Sequence, residues 1–236
     1  MLTSVRASLS TAIEPLRRLL TSSKARAQSQ ENGFLTGCKG VIHVGANTGQ
    51  ERKVYDRFGL NVIWVEPIPE VFAQLVTNIV EYPKQRAIEA LITERDGDRH
   101  TLNVASNGGA SSSILALHEH KDVWPDVSYV RSVDLVSSTL SSLLGKADVD
   151  WNQFDVLVMD TQGAELLVLR GAVDLLPRFR FIKTEVADFE AYKNCTQGDE
   201  METFLAQYLF VVERRDVFAT RAGGGKYYDL LFRRAG

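Results

Sequence analysis

Three acidic residues close apolar runs in this chain. Val62–Val65 ends at Glu66, Phe154–Met159 ends at Asp160, and Phe179–Thr184 ends at Glu185. A fourth feature stands upstream, where Val41-Ile42-His43-Val44 runs into Gly45-Ala46-Asn47-Thr48-Gly49-Gln50-Glu51. A tight glycine turn after one strand, with an acid closing the next, is how an open α/β sheet holds an adenosine-containing cofactor. A carboxylate at that second position accepts both ribose hydroxyls, and this is the role expected of Glu66. Pro67 and Ile68 follow it and are expected to line the adenine.

The turn discriminates between cofactors. A dinucleotide fingerprint aligned on Gly45 needs glycine where Asn47 and Gln50 stand. The middle glycine admits a pyrophosphate to the backbone, and a side chain there obstructs it. S-adenosyl-L-methionine has no phosphate. Its amino-acid end and sulfonium suit a turn with exposed carbonyls and one amide. Gly45, Ala46, Asn47 and Gly49 are therefore expected cofactor contacts. Glu51 has two readings: it completes a capping box with Thr48, or it meets the cofactor's amino-acid end. Asn107, or a serine beside it, is an expected contact to the adenine edge, although Asn-Gly is also a common turn. His43, inside the first strand, reads as a hydrogen-bonded core histidine.

Methyl transfer to an alcohol requires alignment of the acceptor oxygen and removal of its proton. Asp160, Glu185, His118 and His120 are the candidates for that base. A histidine titrates near neutral pH without a large shift, whereas a carboxylate is suited to orienting the hydroxyl or holding a divalent ion. No residue spacing calls for a metal. Glu165 is placed to cap or charge-stabilise the helix after Asp160.

The elements that must position these groups alternate. Strands are expected at Gly40–Val44, Val62–Glu66, Ala87–Ile92, Phe154–Met159 and Phe179–Thr184. Helices are expected over Gly49–Phe58, from Pro69 with Phe72, Leu75, Val76 and Ile79 facing the core, and over Val136–Leu144, Ala164–Arg170 and Glu200–Gln207. Thr101–Ala105 reads as a short extra strand, Asn107–Ser113 as a loop, and residues 114–135 as an active-site cover or a substrate-facing loop. Leu209–Glu213 and Tyr227–Phe232 are strands separated only by a glycine-rich loop. They must pair antiparallel, because a parallel pair needs a longer crossover. The expected fold is a seven-stranded, mostly parallel sheet with an antiparallel C-terminal pair.

Size and charge narrow the class. The 236 residues suffice for one α/β domain. A net charge of −3 gives no basic field for nucleic acid. The two cysteines, Cys38 and Cys195, make no disulfide framework, and a cytoplasmic setting is expected. No apolar run reaches a membrane-spanning length. Residues 1–37 read as a basic amphipathic helix (Leu2, Val5, Leu9, Ile13, Leu16, Leu20) and a polar linker, with residues 38–236 as the catalytic domain. The helix is suited to packing on the domain, to a partner, or to peripheral contact with a membrane surface.

Residues 41–51, Val65-Glu66-Pro67, Asn107–Ser113 and Met159–Glu165, taken in order, resemble the FkbM-family methyltransferases. The resemblance runs from about Cys38 onward. It implies a class I, Rossmann-like S-adenosylmethionine-dependent fold with helices on both faces. It also implies O-methylation of a hydroxyl on a small-molecule or glycan acceptor: a sugar, glycolipid or polyketide-like natural product. By position it makes Gly45, Asn47, Gly49 and Glu66 cofactor contacts and Asp160 the active-site acid. Two alternatives stay open on the residues: a nicotinamide-dependent oxidoreductase, and a non-catalytic domain of the same fold that docks partners.

Overall fold

Strand β1 (Gly40–Val44) is buried at every position and lies inside the main sheet. It pairs in parallel with β2 (Asn61–Glu66) and with β7 (Val156–Met159). These contacts come from a computed structural model that describes Asn32–Gly236. The helix expected near the N-terminus, and its membrane or partner role, lie outside the described residues.

The main sheet has the order β3-β2-β1-β7-β8-β10-β9, with β3 at Gln85–Glu89, β8 at Phe181–Ala187, β9 at Phe210–Thr220 and β10 at Lys226–Arg234. Only β10 is reversed; it pairs antiparallel with both β8 and β9. The short glycine-rich connection forces that reversal, as the sequence implies.

Successive residues of a strand face opposite ways, and β1 uses both sides. Ile42 and Val44 join a core with Leu157, Met159 and Ile182. That core is covered by helices α3 (Leu140–Lys146), α4 (Glu165–Arg170) and α5 (Gly198–Ala206). On the other side His43 stacks on Trp64 and meets Tyr55 of helix α1 (Arg52–Arg57). Helix α2 (Pro69–Ile79) starts with proline in its first turn and buries Val71, Leu75 and Ile79. Val76, expected inside, is 45% exposed.

Several element boundaries depart from expectation. The strand expected over 87–92 breaks at Ala90, and Leu91–Ile92 (β4) leaves the main sheet. It joins β5 (Arg99–Ala105) and β6 (Tyr129–Ser138) in a second sheet of order β4-β6-β5. Residues 129–135 are thus sheet rather than cover. Residues 136–138 are strand too, so the helix expected from Val136 starts at Leu140, capped by Thr139 Oγ1 accepting from the Ser142 N–H at 3.1 Å. Leu102 and Val104 of β5 pack on Ile68 and Val71, which seats the small sheet beside the end of β2. Glu185 lies within β8 rather than at its end. No helix among the described residues is long and apolar enough to cross a membrane.

Candidate active site

The turn after β1 is fixed from two sides. The N–H groups of Gly45 and Ala46 both donate to the Val65 carbonyl, at 3.0 and 3.1 Å. Gly45 has φ of +80°, and a β-carbon there would sit 1.9 Å from the Asp160 carbonyl oxygen. The turn can pass the end of β7 only as glycine. Asn47, at φ +45°, uses its side-chain oxygen to accept from the Thr48 N–H at 2.8 Å. That bond displaces the expected capping box: α1 starts at Arg52, and its cap residue Glu51 makes no side-chain cap bond. Glu51 instead turns its carboxylate into the cleft, 4.0 Å from His43 Nδ1. Gly49 packs against Leu75 of α2.

Glu66 is 4% exposed. Its Oε2 accepts from the Asn47 N–H and its Oε1 from the Ile68 N–H, each at 2.9 Å. Burial pushes its pKa up to about 7, against the pull of those two donors. The carboxylate, the turn, Pro67 and Ile68 all border one cleft. Leu91, Leu102 and Ile114 complete its apolar wall. His43 borders it too, but as a core residue. Its Nδ1 lies 3.2 Å from the Tyr55 hydroxyl, and burial lowers its pKa.

This donor and wall set fits S-adenosyl-L-methionine. Glu66 has lone pairs left that two ribose hydroxyls would use, the apolar wall would suit an adenine, and the turn with Glu51 would face the amino-acid end. The Asn47 side chain stands where a pyrophosphate would need open backbone. Asn107 is not on this cleft. It borders the neighbouring cavity, its amide held by the Ser111 hydroxyl at 3.0 Å and the Ser111 N–H at 3.1 Å.

That neighbouring cavity is walled by His120, Trp124, Phe218 and Tyr227, with Asp160, Gln162 and Glu185 at its base. Asp160, Gln162 and Ala110 border both spaces and mark their junction. Asp160 sits directly after β7 and takes a hydrogen bond from Gln162 Nε2. Glu165 stands in the first turn of α4, where an acid is expected, and also locks the preceding turn by accepting from the Thr161 and Gly163 N–H groups at 2.9 and 3.1 Å. Burial raises the pKa of Asp160 and of Glu185, and each is raised further by nearby acids, Asp229 among them. Asp229 lies opposite Glu185 in the β8–β10 register and pairs with Lys183 at 3.2 Å.

The two loop histidines separate. His118 faces Glu190 at 3.4 Å and is not on the cavity. His120 is on it, but its Nδ1 is 2.7 Å from the Tyr227 hydroxyl and its Nε2 is buried without a partner. Burial pushes its pKa down to about 4, so the ring is neutral at physiological pH. The sequence did not single out Gln162, Tyr192 or Tyr227; only the polar Asp-Thr-Gln-Gly turn pointed toward the first. Among the described residues no cluster of His, Cys, Asp and Glu has the geometry of a metal site.

The comparisons with known proteins agree with this geometry. The family model described as methyltransferase FkbM domain matches residues 43–212. The 2-O-methyltransferase NoeI of Sinorhizobium fredii is 28% identical over 160 residues, which is 65% of this chain and 65% of that protein's length. A candidate tRNA (m1A22) methyltransferase from Streptococcus pneumoniae, solved in complex with S-adenosyl-L-methionine, superposes with a TM-score of 0.50 at 11% identity, covering 89% of this chain and 72% of that one. An uncharacterized protein from Listeria monocytogenes serotype 4b gives 0.50 at 7% identity, over 88% and 66%. At such identities the two structures speak for the fold alone, that of class I methyltransferases. The family match covers most of the described chain and includes the turn, Glu66 and Asp160, and on that ground the protein belongs to the FkbM methyltransferase domain family.

Proposed function

We infer that this chain transfers a methyl group from S-adenosyl-L-methionine to a hydroxyl of a saccharide, glycolipid or similar natural product. One observation carries the reading. Asp160, Gln162 and Ala110 border both the cleft that fits the cofactor and the aromatic-walled cavity beside it. Donor and acceptor entering from the two sides would meet at Asp160. The name of the relative NoeI, a 2-O-methyltransferase, supports oxygen as the atom methylated.

When bound, S-adenosyl-L-methionine supplies an electrophilic methyl group on a sulfonium. The chain's residues do the rest. The turn Gly45–Gly49 and Glu51 hold the amino-acid end, and Glu66 holds the ribose. Glu51 and an ionised Asp160 give the region a negative field that favours a cation. Asp160 takes the acceptor hydroxyl's proton as the new C–O bond forms. Glu185, held protonated by burial and by its acidic neighbours, orients that hydroxyl by donating to it. His120 is a wall held by Tyr227, with its free nitrogen sealed behind the cavity surface. Trp124, Phe218 and Tyr227 exclude water and offer flat faces to the apolar side of a sugar ring, while Asn107 and Ser111 offer polar edges.

The test is incubation of the full chain with S-adenosyl-L-methionine labelled in the methyl group and a panel of methyl glycopyranosides. Label in a glycoside, with matching release of S-adenosyl-L-homocysteine, is the expected result. Tight S-adenosyl-L-homocysteine binding with no labelled glycoside overturns the saccharide assignment. Failure to bind S-adenosyl-L-homocysteine overturns the methyl-transfer reading as a whole.

A further inference from the structure

Gln162 is engaged at both ends of its side chain. Its Nε2 donates to Asp160 Oδ1, and its Oε1 accepts from the Tyr192 hydroxyl at 2.5 Å. Its backbone carbonyl accepts from Ser113 Oγ at 2.8 Å. Three parts of the chain thus converge on one residue at the junction of cleft and cavity: the turn after β7, the serine-rich loop, and the segment carrying Tyr192.

The backbone shows that the side chain matters. Gln162 has φ of +55°, a region that residues other than glycine seldom occupy. Glycine would sit there with less strain. An amide held in that conformation is strain kept in place by its contacts.

An amide has one donating end and one accepting end, and a carboxylate only accepts. Reversed, the Gln162 carbonyl would face Asp160 with no proton between them. An ionised Asp160 can only accept, so it turns the donating end of the amide toward itself, and the Tyr192 hydroxyl, kept protonated by burial, donates to the carbonyl at the other end. The groups around Asp160 otherwise oppose its ionised form: its own burial, then Glu165, Glu51 and Asp229, with Glu185 beside it. Lys183 is spent on Asp229 and Glu185. The Gln162 amide is the contact that favours the carboxylate.

We propose that Gln162 is a positioning residue for the transfer step, with Tyr192 holding the far end of its amide: the amide aims the Asp160 carboxylate at the acceptor cavity and keeps it ready to take a proton. The proposal rests on the role given to Asp160 above.

Its test needs no acceptor. Aspartate labelled with carbon-13 at the side-chain carboxyl lets Asp160 be titrated by NMR in the full chain, with Asp160→Asn giving the assignment. Gln162→Met keeps the length and removes the donor. Gln162→Gly also removes it and relieves the positive φ, so a folding defect cannot mimic the effect. The Asp160 midpoint is expected to rise by roughly 0.5–1 pH unit in both variants, and to move the same way by less in Tyr192→Phe. On a methylated acceptor, the acid limb of the kcat profile moves with it. A midpoint unchanged in both Gln162 variants overturns the proposal. Loss of S-adenosyl-L-homocysteine binding by the unmodified chain would instead overturn the cofactor reading, and the titration would still decide the role of Gln162.

Discussion

The Asn47 backbone N–H and the Glu66 carboxylate meet at 2.9 Å, which ties the turn after β1 to the closing residue of β2. The second oxygen of Glu66 is held in the same way by Ile68. Both oxygens are thereby aimed before any ligand arrives. Replacing Glu66 with alanine removes the expected ribose contacts and frees the turn. S-adenosyl-L-homocysteine affinity should fall by at least about 1.5 kcal/mol, roughly tenfold. Calorimetry on the two proteins decides it, and equal affinities would remove Glu66 from the ribose.

The same carboxylate makes stability depend on pH. Its folded pKa is about 7, against 4.5 for the free group. Between those values the native form holds a proton that the unfolded chain has released, so stability falls as pH rises through the window. Asp160 and Glu185 are shifted in the same direction and extend the decline upward. The ligand-free protein should melt at a lower temperature at pH 8 than at pH 5. Glu66→Gln should flatten part of that slope, by up to about 3 kcal/mol. Melting curves across this range that rise with pH would contradict the burial of these acids.

Gly45→Ala places a methyl group 1.9 Å from the Asp160 carbonyl oxygen, at a φ that L-residues avoid. The clash is with backbone, which cannot swing aside. A loss of more than about 2 kcal/mol in denaturant unfolding is expected, together with loss of cofactor binding. A variant as stable as its parent would mean that the turn does not pass so close to β7.

Asp160→Asn keeps the shape of the junction and removes the proton acceptor. Turnover on any identified acceptor should drop by about 100-fold or more, in line with loss of a general base. S-adenosyl-L-homocysteine affinity should change by less than about threefold. Steady-state kinetics beside calorimetry separates the two, and normal turnover would exclude Asp160 from the chemistry.

What the sequence disclosed was local. The strand end at Val44, the glycine turn and Glu66 follow from strand period and turn chemistry, and the structure places them together at one cleft. The reversed β10 followed from a loop too short to cross over. The capping box failed because Asn47 Oδ1 competed for the Thr48 N–H, and a pattern of residue types does not show such competition. Strand β6 was hidden because Tyr129–Ser138 buries only Ser137 and carries no clean apolar alternation. Leu102 and Ile114 gave no hint of lining the cleft, since the small sheet brings them there. Nor did Tyr192 announce a contact with Gln162, thirty positions away in the chain.

The cleft and the cavity have only Ala110, Asp160 and Gln162 in common among their lining residues. The turn, Glu66, Leu91, Leu102 and Ile114 precede Asp160 and face the cleft, whereas Glu185, Phe218 and Tyr227 follow it and join His120 and Trp124 around the cavity. Natural variation in Trp124, Phe218 and Tyr227 can therefore retune which molecule is modified while the donor pocket is inherited intact. Related chains that share the cleft residues and diverge in those of the cavity would then serve different acceptors with one common donor.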